Sequence, residues 1–252
     1  MTDVEISSTT NPRVKGWFAL HKRSERDRTH QFLIEGRRES ERAIPHVDRL
    51  ELIWCEDYAG EAPPRGATSV SVAVFDKISK RQHPDGVAVV AASPDVSFAN
   101  FRVDDPALVL VADGMEKPGN IGAILRTCDA LGAAFVGSSL ATDLVNPNVI
   151  RSAQGSLFSI PTASVPRTDA IRWCAANTHV VVTRPSEAVP LWDMDLTGPT
   201  SIVIGAESEG VAAEWGTIGK GMAIPMSGSA DSMNASVSAA IVLAEAQRQR
   251  LT

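Results

Sequence analysis

The chain has 252 residues, 44% of them hydrophobic, which is room for one large domain or two modest ones with a sizeable core. Its net charge of −6 argues against broad, charge-driven nucleic-acid binding, and no apolar run reaches the roughly 18 residues that a membrane helix needs. The start MTDVEISSTTNPR lacks the basic-then-apolar layout of a signal peptide, and Cys55, Cys128 and Cys174 sit at no metal-ligand spacing, so a cytoplasmic chain with buried, reduced thiols and no metal is expected.

In chain order, Asn11-Pro12 reads as a capped helix start, and the helix is expected to run from about 12 to 24. Residues 31–35 (QFLIE) read as a strand, 37–43 as helical, 50–55 and 69–72 as strands, and 86–92 (GVAVVAA) as a buried strand. This is a small α/β unit. Residues 93–106 lose periodicity and gain Pro and Asp, which predicts an exposed linker between a domain at 1–92 and another at 107–252. Beyond it, strands at 108–112, 133–137, 180–183, 201–206 and 222–225 alternate with helices at 120–131, 148–156, 168–176, near 211–218, and 234–250. Continuous apolar strands separated by helices predict a parallel sheet covered on both faces, with ligands bound beyond the strands' carboxyl ends.

Three loops at those ends carry candidate chemistry. The first, Asp113 to Asn120, enters a helix whose Ile121, Ile124, Leu125, Cys128 and Leu131 share one face. Arg126 lies roughly 160° from that stripe and leans toward the helix N-terminus, so Asn120 and Arg126 are expected to face one cleft; a simple cap and a solvated arginine also fit. In the second, Gly205-Ala-Glu207-Ser-Glu209-Gly210, the glycines permit close backbone approach to a ligand. Capping explains Ser208 and Glu209 better than it explains Glu207. In the third, Ile224 to Asn234, either Ser232 or Asn234 must cap the following helix, which leaves the other free. That helix opens with small and apolar residues on every face, the profile of a buried helix or a subunit interface. No G-x-G-x-x-G follows a strand, so a Rossmann dinucleotide site is excluded.

In combination, Asn120-x5-Arg126, Gly205-x-Glu207-x-x-Gly210 and Ile224-Pro-Met…Ser232-Met-Asn234-x-Ser236 occur in the order and spacing of the three motifs of the SpoU/TrmH family of SPOUT methyltransferases. The chain resembles that family over essentially its full length. The N-terminal Asn11-Pro-Arg-Val-Lys and Phe32-Leu-Ile-Glu-Gly36 resemble its RNA substrate-binding domain, of ribosomal-protein-like α/β fold. The resemblance implies a deep trefoil knot in the C-terminal domain and a homodimer with the active site at the subunit boundary. It further implies S-adenosylmethionine held by Thr183, Gly205, Glu207, Gly210, Ile224, Pro225, Met226 and Met233, with Met233 standing where the family usually has Leu. The implied reaction is methyl transfer to a ribose 2′-hydroxyl, with Asn120, Arg126, Glu207, Ser232 and Asn234 at the reacting centre. Arg126 matches the family's catalytic arginine. Because guanidinium stays charged, a phosphate clamp that stabilises the developing alkoxide is preferred to a base.

Ribosomal RNA is the expected substrate, since a separate N-terminal domain and Asn146-Pro-Asn148…Arg151 resemble members acting on it; transfer RNA, or an inactive RNA-binding homologue, are the alternatives. Candidate RNA contacts are Arg13, Lys15, Lys22, Arg23, Arg37 and Arg151. Only residues 1–50 carry more Lys and Arg than acids, ten against eight. Their densest part, His21 to Arg28, fits a phosphate contact and a solvated helix end equally well, because Glu25 and Asp27 halve its field.

Overall fold

A computed structural model of the chain describes residues 5–184, 188–207 and 209–251. It divides into two compact units, one of residues 1–94 and 145–159, the other of 95–144 and 160–252.

The first unit opens with α1 (Pro12–Ala19), capped by Asn11, whose side chain accepts from Arg13 N at 2.9 Å, and α2 (Arg23–Thr29). The single helix expected over 12–24 is therefore broken, and Arg26 supplies the reason. Its buried guanidinium donates to the carbonyls of Leu20 (2.9 Å) and His21 (3.1 Å), satisfying acceptors that a continuing helix would have used. Strand β1 (Gln31–Glu35), α3 (Arg37–Ala43), β2 (Arg49–Trp54), α4 (Glu56–Ala59), β3 (Thr68–Ser69), α5 (Val72–Ile78) and β4 (Val87–Ala92) follow. The sheet order is β1-β4-β2-β3, with β4 antiparallel to both its neighbours. The strand expected at 69–72 ends at Ser69. The alternation of SVSVAV imitates a strand, but Val74, Phe75 and Ile78 recur at helical spacing and are buried against Val14 and Trp17 of α1.

In the second unit, β5 (Leu108–Asp113), α6 (Pro118–Leu131) and β6 (Ala134–Ser138) come first. Helix α7 (Pro147–Ala153), which clusters with the first unit, ends earlier than the expected 156 because Gln154 and Gly155 both take positive φ. The second unit continues with β7 (Thr162–Val165), α8 (Arg167–Asn177), β8 (His179–Thr183), β9 (Val189–Pro190), β10 (Thr200–Gly205), β11 (Lys220–Ala223) and α9 (Ala235–Arg250). The helix expected near 211–218 is a short 3₁₀ turn over Ala213–Thr217.

All seven strands of this sheet run parallel in the order β7-β6-β5-β10-β8-β11-β9. Val109, Val111, Val136, Val182 and Val203 pack with Ala170 and Cys174 of α8. Alternate residues such as Leu110, Phe135 and Ile202 are equally buried on the other face, where α9 packs on β10 and α6 on α9. The three thiols are free and buried, and burial pushes that of Cys174 up to about 11. The segment 95–106 is mostly exposed, as expected, but Phe98, Phe101 and Val103 turn inward and pack on this core. Phe98 stacks on Trp173 (5.2 Å between centroids) and Phe101 meets it edge-on (5.0 Å), an aromatic anchor hidden among Pro and Asp.

Candidate active site

Register brings the three loops together. Gly205 pairs with Asp113, Val203 with Val182, and Met222 with Thr183, so β5, β8, β10 and β11 end side by side. Beyond β10 the chain makes a tight turn in which Ala206 and Gly210 form an antiparallel bridge, with Gly210 N donating to Ala206 O at 2.8 Å. Gly210 takes φ +71°. Gly205 is required for a different reason from the one expected. A Cβ there would lie 2.0 Å from Gly210 C, so the close approach it permits is to its own turn.

The turn presents Glu207, whose carboxylate collects donors from both other loops. Lys117 forms an ion pair with Oε2, while Asn120 Nδ2 (2.8 Å) and Asn234 Nδ2 (2.7 Å) donate to Oε1. The hydrogen bonds from Lys117 and then Asn120 hold this carboxyl below the usual range, so it is anionic at neutral pH. Asn120 is the third residue of α6 and not its cap, a position taken by Lys117. Asn234 caps α9 by accepting from Ser236 N (2.9 Å) and Ser236 Oγ (2.6 Å). The choice expected between capping and site duty therefore does not arise. An amide has an acceptor for the cap and a donor for Glu207, and one side chain does both. Ser232 is left uncommitted on the cleft wall.

Beside Glu207 lies a cleft lined by Thr183, Ile204, Gly205, Gly210, Val211, Ile224, Met226, Ser232 and Met233. Of the residues expected to hold cofactor, all but Pro225 are on its wall, Glu207 included. Thr183 is fixed by donating to Val203 O at 3.0 Å. From Met226 to Met233 no residue makes a main-chain hydrogen bond to another described main chain, so this loop's backbone polar groups remain available. A second cleft, formed by Met115, Lys117, Asn120 and Ala235, adjoins it at Glu207. Arg126 lies on neither wall. It is exposed, about 9 Å beyond Asn120 along the α6 axis, with no hydrogen bond or ion pair to a described residue, so neither of these two clefts brings it together with Asn120.

Below the turn, Asp113 is buried and accepts from Ser138 Oγ (2.6 Å), Arg167 Nε (2.9 Å) and Ala212 N (3.1 Å). Burial pushes its carboxyl up, but these donors outweigh burial and hold it below the usual range. Asp113 thus ties the end of the Glu207 turn to β5 and α8. The sequence reading did not single out Lys117, Asp113 or Arg167. A lysine at a helix N-terminus opposes the helix dipole, and that was a signal for an anionic neighbour.

The SpoU rRNA Methylase family matches residues 107–244, and an MRM3-like substrate binding domain matches residues 11–89. The chain belongs to the SpoU rRNA methylase family. Among its relatives is the 23S rRNA (uridine(2479)-2′-O)-methyltransferase of Streptomyces viridochromogenes, 31% identical over 97% of this chain and 92% of that protein. A crystal structure of an RNA 2′-O ribose methyltransferase is similar with a TM-score of 0.83 and 39% identity, covering 99% of this chain and 100% of the other. The AdoMet-bound rRNA methyltransferase of Sinorhizobium meliloti is similar with a TM-score of 0.88 and 30% identity over 99% of each chain. This SpoU-family chain is accordingly a methyltransferase that uses S-adenosylmethionine. Its cleft suits that cofactor: Ile204, Ile224, Met226 and Met233 offer an apolar wall to a flat base, and anionic Glu207 faces the side where a sulfonium charge would be favoured.

Proposed function

We propose that this SpoU-family enzyme methylates a ribose 2′-hydroxyl of ribosomal RNA. The observation that carries the reading is the convergence of Lys117, Asn120 and Asn234 on Glu207 at the mouth of the cleft, because it builds one polar centre from all three motif loops. When bound, S-adenosylmethionine supplies an electrophilic methyl group on a positively charged sulfur. Thr183, Gly205, Glu207, Gly210, Ile224, Met226 and Met233 on the cleft wall would hold it, with Pro225 beside them in the chain, and the available main chain of 226–233 supports this role.

Glu207 orients the ribose and does not remove its proton. A carboxylate already saturated by three donors, with its pKa depressed, is a weak base. Asn120, Ser232 and Asn234 place the hydroxyl in line with the methyl group. Arg126, exposed and without a partner among the described residues, clamps the adjoining phosphate and stabilises charge developing on the oxygen, while the hydroxyl proton passes to solvent and the methyl's bond to sulfur breaks to leave the neutral thioether.

The domain layout is an RNA substrate-binding domain at 1–92, a connecting segment at 93–106 and a catalytic domain at 107–252. The catalytic domain carries the trefoil knot, a reading supported by the way residues 224–234 and the 205–210 turn share one cleft. The enzyme acts as a cytoplasmic homodimer. Val237, 48% exposed, and the following Ile241 and Ala244 give α9 an apolar stripe that supports this pairing. Among the described residues there is no helix long and apolar enough to cross a membrane and no cluster of potential metal ligands.

The test is incubation with labelled S-adenosylmethionine and deproteinised ribosomal or transfer RNA, followed by mapping of the product. Ribose methylation of ribosomal RNA is expected, while base methylation or an unlabelled RNA overturns the reading. An Arg126→Lys enzyme with wild-type turnover would remove the bidentate clamp from it.

A further inference from the structure

The cations expected to meet RNA are largely engaged. Arg13 pairs with Glu51, Arg23 with Asp27 and Arg37 with Glu61, and Arg151 donates to Asn148 Oδ1 at 2.6 Å. Elsewhere in the first unit, α1 and α5 border a groove lined by Thr9, Thr10, Lys15, Phe18, Asp76 and Lys77. The Phe18 ring gathers two ammonium groups, with Lys77 Nζ 4.5 Å and Lys80 Nζ 5.1 Å from its centroid. An aromatic ring orients a cation through its quadrupole but brings no net charge. Lysines held this way keep their field, whereas a carboxylate partner would cancel it.

Lys15, Lys77 and Lys80 are all exposed and make no ion pair with a described residue. The acid on the groove, Asp76, is engaged by the Tyr58 hydroxyl at 2.7 Å. His21, edge-on to Phe18, adds little charge at neutral pH, since burial lowers its pKa. In a chain of net charge −6, three lysines set against Asp76 leave this groove an excess of positive charge, a local anion-binding surface.

We propose that this groove binds the RNA backbone, with Lys15, Lys77 and Lys80 on neighbouring phosphates and the hydroxyls of Thr9 and Thr10 as further donors. The assignment rests on the reading of the chain as an RNA methyltransferase. Lys77 and Lys80 lie in a stretch to which the sequence reading assigned no element, so nothing there pointed to them.

The experiment measures binding of deproteinised ribosomal RNA to the full chain across a salt series, for the unaltered protein and for a Lys15→Gln, Lys77→Gln, Lys80→Gln triple variant. Each lost phosphate contact lowers the slope of log affinity against log salt by about 0.7 to 0.9, so the slope falls by about 2 to 3 and affinity at moderate salt by about tenfold or more. S-adenosylmethionine affinity stays unchanged. Phe18→Leu, which keeps the apolar packing but removes the quadrupole, gives a smaller loss. Arg28→Gln, whose cation already pairs with Glu25 at 2.7 Å, leaves the slope nearly as it was. A triple variant with wild-type affinity and slope, tested beside an unaltered protein that binds and methylates RNA, overturns the groove and spares the enzymatic reading. An unaltered protein with no RNA affinity overturns both.

Discussion

Replacing Gly205 with alanine tests whether the turn after β10 is built by contact with itself. The added methyl would lie 2.0 Å from Gly210 C, 2.1 Å from Gly210 O and 2.2 Å from Val211 N. These are main-chain atoms, so no rotamer change relieves the overlap, and the turn must retreat by more than an ångström to reach ordinary contact. Overpacking of this kind costs about 1–3 kcal/mol. Loss of the 2.8 Å bond from Gly210 N to Ala206 O adds about 1 kcal/mol. In a chain of this size each kcal/mol lowers Tm by about 2–4 °C, which predicts a drop of about 5–15 °C for the second unit. The same shift carries Glu207 away from Asn120 and Asn234, and a displacement of about 1 Å at a reacting centre costs about 10²-fold in turnover. The assay combines a thermal melt, cofactor titration and methyl-transfer rate. Gly16→Ala, in α1 with nothing within 4 Å of the added carbon, is the control, with an expected gain of about 0.5–1 kcal/mol. A Gly205→Ala protein with wild-type Tm, cofactor affinity and rate would refute the reasoning.

Asn234→Asp keeps an acceptor for Ser236 N but replaces the donor facing Glu207 with a second carboxylate, so methyl transfer should collapse at neutral pH while circular dichroism shows α9 intact. Asn234→Ala removes the cap as well and should lower stability by about 1 kcal/mol, read by denaturant titration. The depressed pKa of Glu207 means that its contribution is present above the ordinary carboxylate range and is lost as pH falls through the lowered value. Lys117→Met removes the largest cause of that depression, so the acid limb of the pH–rate profile should move to higher pH. Asp113→Ala breaks a buried pair and should destabilise the second unit by about 3 kcal/mol, at the low end for such pairs because Arg167 reaches solvent. Since the Asp113 carboxyl is also held low, the gap between variant and wild type should narrow as acid protonates it, which denaturation at two pH values would show.

The legible part of this protein was the part governed by local pattern. Apolar runs such as LVLVA and SIVIG announced buried parallel strands, and the three motifs named the loops at their ends. Misreadings arose where a tertiary partner overrode local preference. Arg26 stops α1 by taking its carbonyls, and packing on Val14 and Trp17 turns the alternating SVSVAV into a helix start. Phe98 and Phe101 pin an otherwise exposed segment to the core because Trp173 receives them.

By itself, the sequence determined the α/β class and the parallel sheet of the second unit, which follow from periodicity, and its three motifs carried the resemblance to the family. Only the tertiary structure decided that Glu207 is the meeting point of the loops, that Asn234 caps and donates at once, and that Arg126 stands apart from both clefts. The physical reason is that hydrogen bonds between residues 87 or 27 positions apart depend on strand register and turn geometry, which no local pattern of side chains encodes.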